Sequence, residues 1–299
     1  MGQAALTEER ARAVLTAALP PYRAGTAGAR LLALGENAVF ALDSLSLVVR
    51  ISRDLEVWDR AARELSVADW LAREGLPAVR PDRRFGPEQP LPFGGHLVTY
   101  WRQLPEPVRP AGPRDLGELL RLVHALPDPP FALPGRDLLG GVERWLRLAG
   151  DAIDPADAAY LRALRDDAAA AAAELTPRLP PGPVHGDALP RNVHIGPEGP
   201  VLVDLETFSR DLREHDLVVM ALTRDRYGLG PAAYDEFVAA YGWDVREWDG
   251  CAVLRGAREV ASCAWVAQHA PGNPAARAEF ARRVASLREG DPTVRWHAF

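Results

Sequence analysis

Hydrophobic spacing divides the chain into a mixed first third and a mainly helical remainder. Thr7 precedes an amphipathic run to about Leu19, with Glu8 and Glu9 in its first turn. A threonine oxygen caps the first free amides of a helix, and acids there complement its positive end. The stretch LLALGENAVFALDSLSLVVRIS then turns β-rich. Turn residues at Gly35-Glu36-Asn37 and Asp43-Ser44 cut it into three antiparallel strands, near 31–34, 38–42 and 46–52. Helical spacing returns with Val57, Ala61, Leu65, Ala68 and Leu71, which predicts a helix over about 56–74, closed by Gly75. A proline-rich stretch, 77–92, leads to HLVTYW, a predicted strand at 96–101.

Residues 105–113 (PEPVRPAGP) hold four prolines and no periodicity, which marks a linker. Beyond it the pattern predicts helices at about 114–126, 138–149, 155–175, 211–225, 231–241, 246–268 and 273–289. One β-rich island interrupts them, from Val184 to Phe208. The pattern as a whole predicts an α+β chain in two lobes: 1–104, a small antiparallel sheet with one main helix, and 105–299, larger and mostly helical.

Composition narrows the chemistry. All 35 strongly basic residues are arginine, and lysine is absent. That excludes lysine Schiff bases and the GxxxxGK[ST] phosphate loop, so any nucleotide grip must use arginine or backbone. The net charge of −6 argues against a general nucleic-acid partner. Residues 1–105 carry 13 arginines against 12 acids, and 106–299 carry 22 against 29. The acidic excess is either a solvated surface or a bed for a cationic substrate. Cys251 and Cys263 lie on one predicted helix, roughly 18 Å apart at the helical rise, too far for a disulfide. With no apolar run long enough to span a membrane and acids where a signal peptide needs a basic start, a cytoplasmic monomer or homodimer is expected, without membrane contact.

The chemistry concentrates in VHGDALPRNVHI (184–195) and VLVDLETFS (201–209). Gly186 and Pro190 enforce a tight loop. Val193–Ile195 and Val201–Val203 can pair across the Gly196–Pro200 turn. That hairpin would carry Asp187, Asn192 and Asp204 toward one place. Two carboxylates and an amide oxygen are hard donors suited to Mg²⁺, which keeps waters and shares itself with phosphates. The pattern fits a phosphoryl-transfer site.

The loop resembles the HGDxxxxN motif of the aminoglycoside phosphotransferase family, the small-molecule branch of the protein-kinase-like fold. The triplet Asp204-Leu205-Glu206 is similar to that family's second metal motif, and DLREHDLV (211–218) resembles a further conserved region of it. The resemblance extends over nearly the whole chain. It implies a bilobal kinase-like fold, ATP or GTP as co-substrate, Mg²⁺, and a small-molecule hydroxyl as acceptor. It implies that Asp187 is the catalytic base and that Asn192 and Asp204 hold the metal. Arg50 stands where the family's strand lysine stands and would meet the α- and β-phosphates, with Glu64 as its helix partner. Asn37, in GENAVF, could cover phosphates or simply shape a hairpin turn. The TYWRQL stretch would be the hinge, its backbone at Tyr100 and Arg102 meeting the purine. His185 is expected to position the loop rather than act as base, and Asp216 to hydrogen-bond it. Arg191 either touches phosphate or pairs with a carboxylate. Glu206 is open among metal, substrate and solvent. His124 is expected to be a packing residue. The C-terminal helices would build the acceptor site, with Tyr227, Tyr234, Trp243, Trp248 and Trp265, and with Asp225, Asp235, Glu236, Asp244 and Glu259 as grips for a cation. The acceptor is then an aminoglycoside or other cationic antibiotic, or a metabolic sugar or amino alcohol. A non-catalytic nucleotide-binding protein of the same fold is the second reading, and a metal-dependent phosphoesterase the third.

Overall fold

The computed structural model describes residues 6–19, 26–35 and 37–298. The turn residue Glu36 therefore lies outside the described residues. The fold is α+β, with an antiparallel sheet early in the chain and helices dominating after it. It divides into two compact units. The first is 1–111 together with 192–208, and the second is 112–191 with 209–299.

In the first unit, helix α1 (Glu8–Ala18) is capped by Thr7, whose Oγ1 accepts from Arg10 N at 3.3 Å. Strands β1 (Arg30–Leu34), β2 (Asn37–Leu42), β3 (Leu47–Ser52), β4 (Leu91–Phe93) and β5 (His96–Arg102) form one sheet in the order β1-β2-β3-β5-β4. Every neighbouring pair is antiparallel. Strand β4 escaped the sequence reading because Leu91-Pro92-Phe93 lacks alternation. Its proline is tolerated because β4 is an edge strand.

Alternation on β3 sends Leu47, Val49 and Ile51 into a core with α1, through Leu15, Phe40 and Tyr100. Burying each such aliphatic side chain is worth about 1.5–3 kcal/mol. Arg50 is thereby sent to the opposite face. Helix α2 (Trp58–Arg73) covers that side, burying Leu65, Ala68 and Leu71. Gly75, at φ +77°, follows its end in the left-handed conformation that glycine adopts without steric cost. The hairpin of Val193–Gly196 with Gly199–Leu202 joins this unit by its backbone. Leu202 N donates to Pro77 O (2.9 Å), Val79 N to Leu202 O (2.9 Å) and Val108 N to Ile195 O (2.9 Å). That is why 192–208, assigned on sequence to the larger lobe, packs with the first unit.

The second unit holds helices α3 (Pro113–Ala125), α4 (Val142–Ala149), α5 (Pro155–Ala173), α6 (Glu214–Arg226), α7 (Pro231–Tyr241), α8 (Cys251–Ala267) and α9 (Pro274–Arg288). Helix α8 lies at its centre, packed on α4, α5, α6 and α9. Leu146, Leu161, Cys263, Phe280 and Trp296 are part of that core. Helix α3 approaches α7 closely at Gly117, where a Cβ would meet Phe237 O at 2.7 Å. Both cysteines are buried and free.

Three predicted helices begin later than expected. The 138–149 helix starts at Val142, because Asp137 Oδ1 takes Gly140 N (2.8 Å) and turns the chain first. The 211–225 helix starts at Glu214, because Ser209–Asp211 pairs as a strand with Gly182–Val184. The 246–268 helix starts at Cys251, after a separate 3₁₀ turn, Val245–Glu247, capped by Asp244. Among the described residues no helix is long and apolar enough to cross a membrane.

Candidate active site

The first group of predicted residues gathers around Arg50 in the first unit. Arg50 Nη1 donates to both Glu64 oxygens, at 2.9 and 2.7 Å. Its Nη2 donates to Glu206 Oε2. With its amide oxygen facing Arg50, Asn37 accepts from Nε at 3.1 Å and Nη2 at 3.0 Å. All three guanidinium nitrogens therefore have protein partners. Glu64 reaches Arg50 because Arg60, Ala61 and Glu64 share one face of α2 at helical spacing. Glu206 reaches it because α2 packs on the turn Leu205–Thr207, next to an edge-to-face contact of Trp70 with Phe208 (centroids 6.2 Å, 79°).

The pocket beside this network is lined by Asn37, Arg50, Ser52, Arg60, Glu64 and Glu206. Burial pushes the Glu64 carboxyl up to about 7; Arg50 opposes this, while Glu206 and Asp204 add to it. Burial also penalises the Arg50 cation, but Glu64, Glu206 and Asp204 outweigh that and raise its pKa above the ordinary arginine value. The motif names Glu206 but does not show that it meets Arg50, 156 residues away.

Asn192 and Asp204 flank the hairpin of this unit. Val203 N donates to Asn192 O at 3.0 Å, which ties the two ends together. Asn192 is buried. Asp204 has φ +59° and ψ +65°, a left-handed conformation rare outside glycine and tolerated best by Asn and Asp. Held strain of this kind marks sites where geometry matters more than local stability. Among the described residues no group of three His, Cys, Asp or Glu side chains is placed to hold a metal ion.

Tyr100 and Arg102 correct the expected hinge. Tyr100 N donates to Gln89 Oε1 (2.5 Å), and Tyr100 O accepts from Asp82 N (2.8 Å). Arg102 N donates to Arg80 O (2.9 Å). The proline-rich stretch thus covers the edge of β5 at the residues assigned to the purine. The Tyr100 ring points the other way, its hydroxyl donating to Ala18 O (3.0 Å).

The second group lies on the catalytic-loop motif, in the second unit. Buried Asp216 anchors the loop: its Oδ2 accepts from His185 N (2.7 Å) and its Oδ1 from Gly186 N (2.8 Å). His124 Nε2 lies 3.2 Å from Oδ2, and His124 Nδ1 lies 2.8 Å from Tyr241 Oη. Burial alone would raise the Asp216 carboxyl; the bonds from His124 and the loop amides win and hold it down to about 2. Gly186 adopts φ +85°, which an L side chain adopts only with strain. Buried His185 accepts from Asp187 N through Nδ1 (3.3 Å), so that nitrogen is engaged inside the loop.

The Asp187 carboxylate meets two arginines. Arg191 Nη2 donates to Oδ2 at 2.9 Å and Arg258 Nη2 to Oδ1 at 3.4 Å. Arg258, on α8, belongs to no motif, and its spacing of 71 residues from Asp187 gives no sequence signal. Three of the acids offered as grips for a cation already have arginine partners: Asp225 with Arg224 and Arg255, Asp244 with Arg246, and Glu259 with Arg226. Tyr234 is fully buried in the core and donates its hydroxyl to Asp244 (2.8 Å).

The phosphotransferase enzyme family model matches residues 29–254 of this chain. No curated protein matches it significantly. Among solved structures, a choline/ethanolamine kinase family protein from Mesorhizobium loti is similar at 21% identity and TM-score 0.64, over 95% of this chain and 96% of that one. Amicoumacin kinase, solved with AMP-PNP, Ca²⁺ and Ami, is similar at 15% identity and TM-score 0.69, over 97% and 98%. A spectinomycin phosphotransferase solved with ADP and spectinomycin follows at 16% identity and TM-score 0.58, over 89% and 90%. At these identities the likeness establishes the shared fold, that of the protein-kinase-like phosphotransferases.

Proposed function

We propose, from the premise that this chain belongs to the phosphotransferase enzyme family, that it transfers the terminal phosphoryl group of ATP or GTP to a hydroxyl of a small molecule. Membership makes it a phosphotransferase with an alcohol group as acceptor; the nucleotide, the metal and the residue roles are the proposal's part. The observation that carries it is the loop at Asp187. Two successive amides, of His185 and Gly186, are clamped on the buried Asp216 carboxylate, and the Asp187 side chain remains 28% exposed. A rigid loop presenting one accessible carboxylate is what a base needs to orient an acceptor hydroxyl.

In the proposed step the hydroxyl oxygen bonds to the γ-phosphorus as the bond from that phosphorus to the departing diphosphate oxygen breaks. The hydroxyl proton passes to Asp187. His185 positions the loop, since its Nδ1 is already an acceptor for the Asp187 amide. Asn192 and Asp204 offer oxygen donors of the type a hard cation prefers, and they would hold Mg²⁺ against the nucleotide phosphates. The ion, when bound, neutralises charge on those phosphates. Arg50 acts chiefly through Glu206: by holding that carboxylate it sets the turn that carries Asp204. Contact of Arg50 with the α- and β-phosphates requires it to release a carboxylate first.

The test is Asp187→Asn, assayed by nucleotide-dependent phosphoryl transfer. It is expected to lower kcat by roughly 10²–10⁴ with nucleotide affinity nearly unchanged. Turnover close to the parent enzyme would reject Asp187 as the base.

A further inference from the structure

Arginines of the second unit differ in how far their donors are met by the protein. Arg226 and Arg283 are buried and place two or more of their nitrogens on protein partners. Arg226 Nε meets Glu259 at 2.6 Å and its Nη1 meets Asp291 O at 2.7 Å. Arg283 Nε meets Glu279 at 2.7 Å and its Nη1 meets Ser262 Oγ at 2.8 Å. Arg258 is 12% exposed, yet its one side-chain hydrogen bond among the described residues is the 3.4 Å contact with Asp187. Arg136, on the loop before α4, has a buried Nε with no partner. A guanidinium has five donors, and those that meet no protein group are open to a ligand.

A buried Nε without a partner occurs at Arg213 and Arg255 as well; what sets Arg258 and Arg136 apart is the field they share beside Asp187. Arg136 and Arg258 repel each other, and both act on His215. Burial, with Arg136 and Arg191 adding, makes the Arg258 cation harder to hold, and Asp187 and Asp216 oppose this. The nearby carboxylates have other duties. Asp216 is committed to the loop amides and His124. Asp211 accepts from the backbone amides of Arg136 (2.9 Å) and Leu212 (2.8 Å), with His215 Nε2 3.7 Å away. Asp187 alone faces Arg191 and Arg258 together. Guanidinium groups gathered in this way, with donors left over, suit a carboxylate or phosphate oxygen pair, which their planar fork binds bidentately. A cationic acceptor at this position would meet like charge.

We infer that Arg258, Arg136 and Arg191 form an anion-binding subsite beside Asp187, and that the acceptor is a hydroxyl compound carrying an anionic group, a hydroxycarboxylate being the class that fits. This deepens the phosphotransferase reading and rests on it.

The experiment has two arms, both on the full chain. In the first, MgATP-dependent phosphoryl transfer is measured for glycerate and 3-hydroxybutyrate, for neutral glycerol, and for cationic choline and kanamycin. The hydroxycarboxylates are expected to exceed glycerol by about tenfold or more in kcat/KM, the scale of one charge-assisted pair. Arg258→Met is expected to raise the acceptor KM by about the same factor with the ATP KM unchanged, and Arg258→Lys to recover part of the loss. Preference for choline or kanamycin would overturn the inference. So would an Arg258→Met effect confined to kcat, which would assign the arginine to the transferring phosphoryl group or to the base.

The second arm is independent of turnover. Malonate is titrated calorimetrically against the parent chain, Arg258→Met and Arg136→Met. Binding that weakens in both variants supports the subsite, and binding unchanged in both, or absent from the parent, rejects it. Malonate binding with no phosphoryl transfer to any acceptor would sink the kinase reading and leave the anion site standing.

Discussion

Two arginines, one in each unit, show opposite ways of burying a positive charge. Arg50 sits inside a closed set of partners: Glu64, Glu206 and Asn37 take all three of its nitrogens. Arg258 is as deeply placed but is left with one long bond to Asp187 and a repelling neighbour in Arg136. The first arrangement is a structural joint, which binds a strand, a helix and the turn after Asp204 together. The second is a site poised for a partner that the chain does not itself contain. Burial alone therefore says little about a charge; its partner count decides whether it holds the fold or awaits a ligand.

The largest expected effect breaks the joint. Arg50→Met leaves Glu64 and Glu206 without their shared cation, and denaturant unfolding should record a loss of about 3–5 kcal/mol. A loss below about 1 kcal/mol would mean that the network is ornamental. Nucleotide affinity should fall as well, and unchanged affinity would remove Arg50 from the site.

Next comes the anchor of the second site. Asp216 titrates near 2 when folded, below its unfolded value, so its contribution is complete above the ordinary carboxylate range and lost as pH falls through about 2. Between pH 5 and 2 the parent chain should lose roughly 2–3 kcal/mol that Asp216→Asn does not lose over the same range. Identical acid-unfolding slopes for the two proteins would contradict the anchoring role.

The smallest effect is the sharpest contrast with Arg50. Arg258→Met removes one long bond and the repulsion from Arg136 and Arg191, so stability should move by less than about 1 kcal/mol in either direction. A loss as large as that of Arg50→Met would make Arg258 a structural joint too and erase the distinction between the two arginines.

Much of this molecule was legible before any coordinates. The spacing of Asp187, Asn192 and Asp204 pointed to one chemistry, and the resemblance to the family paired Arg50 with Glu64. Periods of two and 3.6 residues report only which side of an element a residue occupies. Other features were not legible for an equally physical reason. Tyr100 and Arg102 looked available to a purine because nothing local shows that residues 80–89 fold back over the β5 edge. The acids Asp225, Asp244 and Glu259 looked like grips for a cation because their arginine partners are set by helix packing or by a turn. The late starts of α6 and α8 followed from a strand pairing and a capped turn, neither of which hydrophobic spacing encodes.

The order of residues was enough to establish an α+β chain, a loop that resembles the family's motif, and the absence of any lysine. Those properties depend on residue identity and near neighbours, and they hold in any arrangement of the elements. Only the tertiary structure decided how each arginine is used. Arg50 meets Glu206 across 156 residues, and Arg258 meets Asp187 across 71. Coulomb energy and hydrogen-bond geometry depend on distance through space, which spacing along the chain does not report.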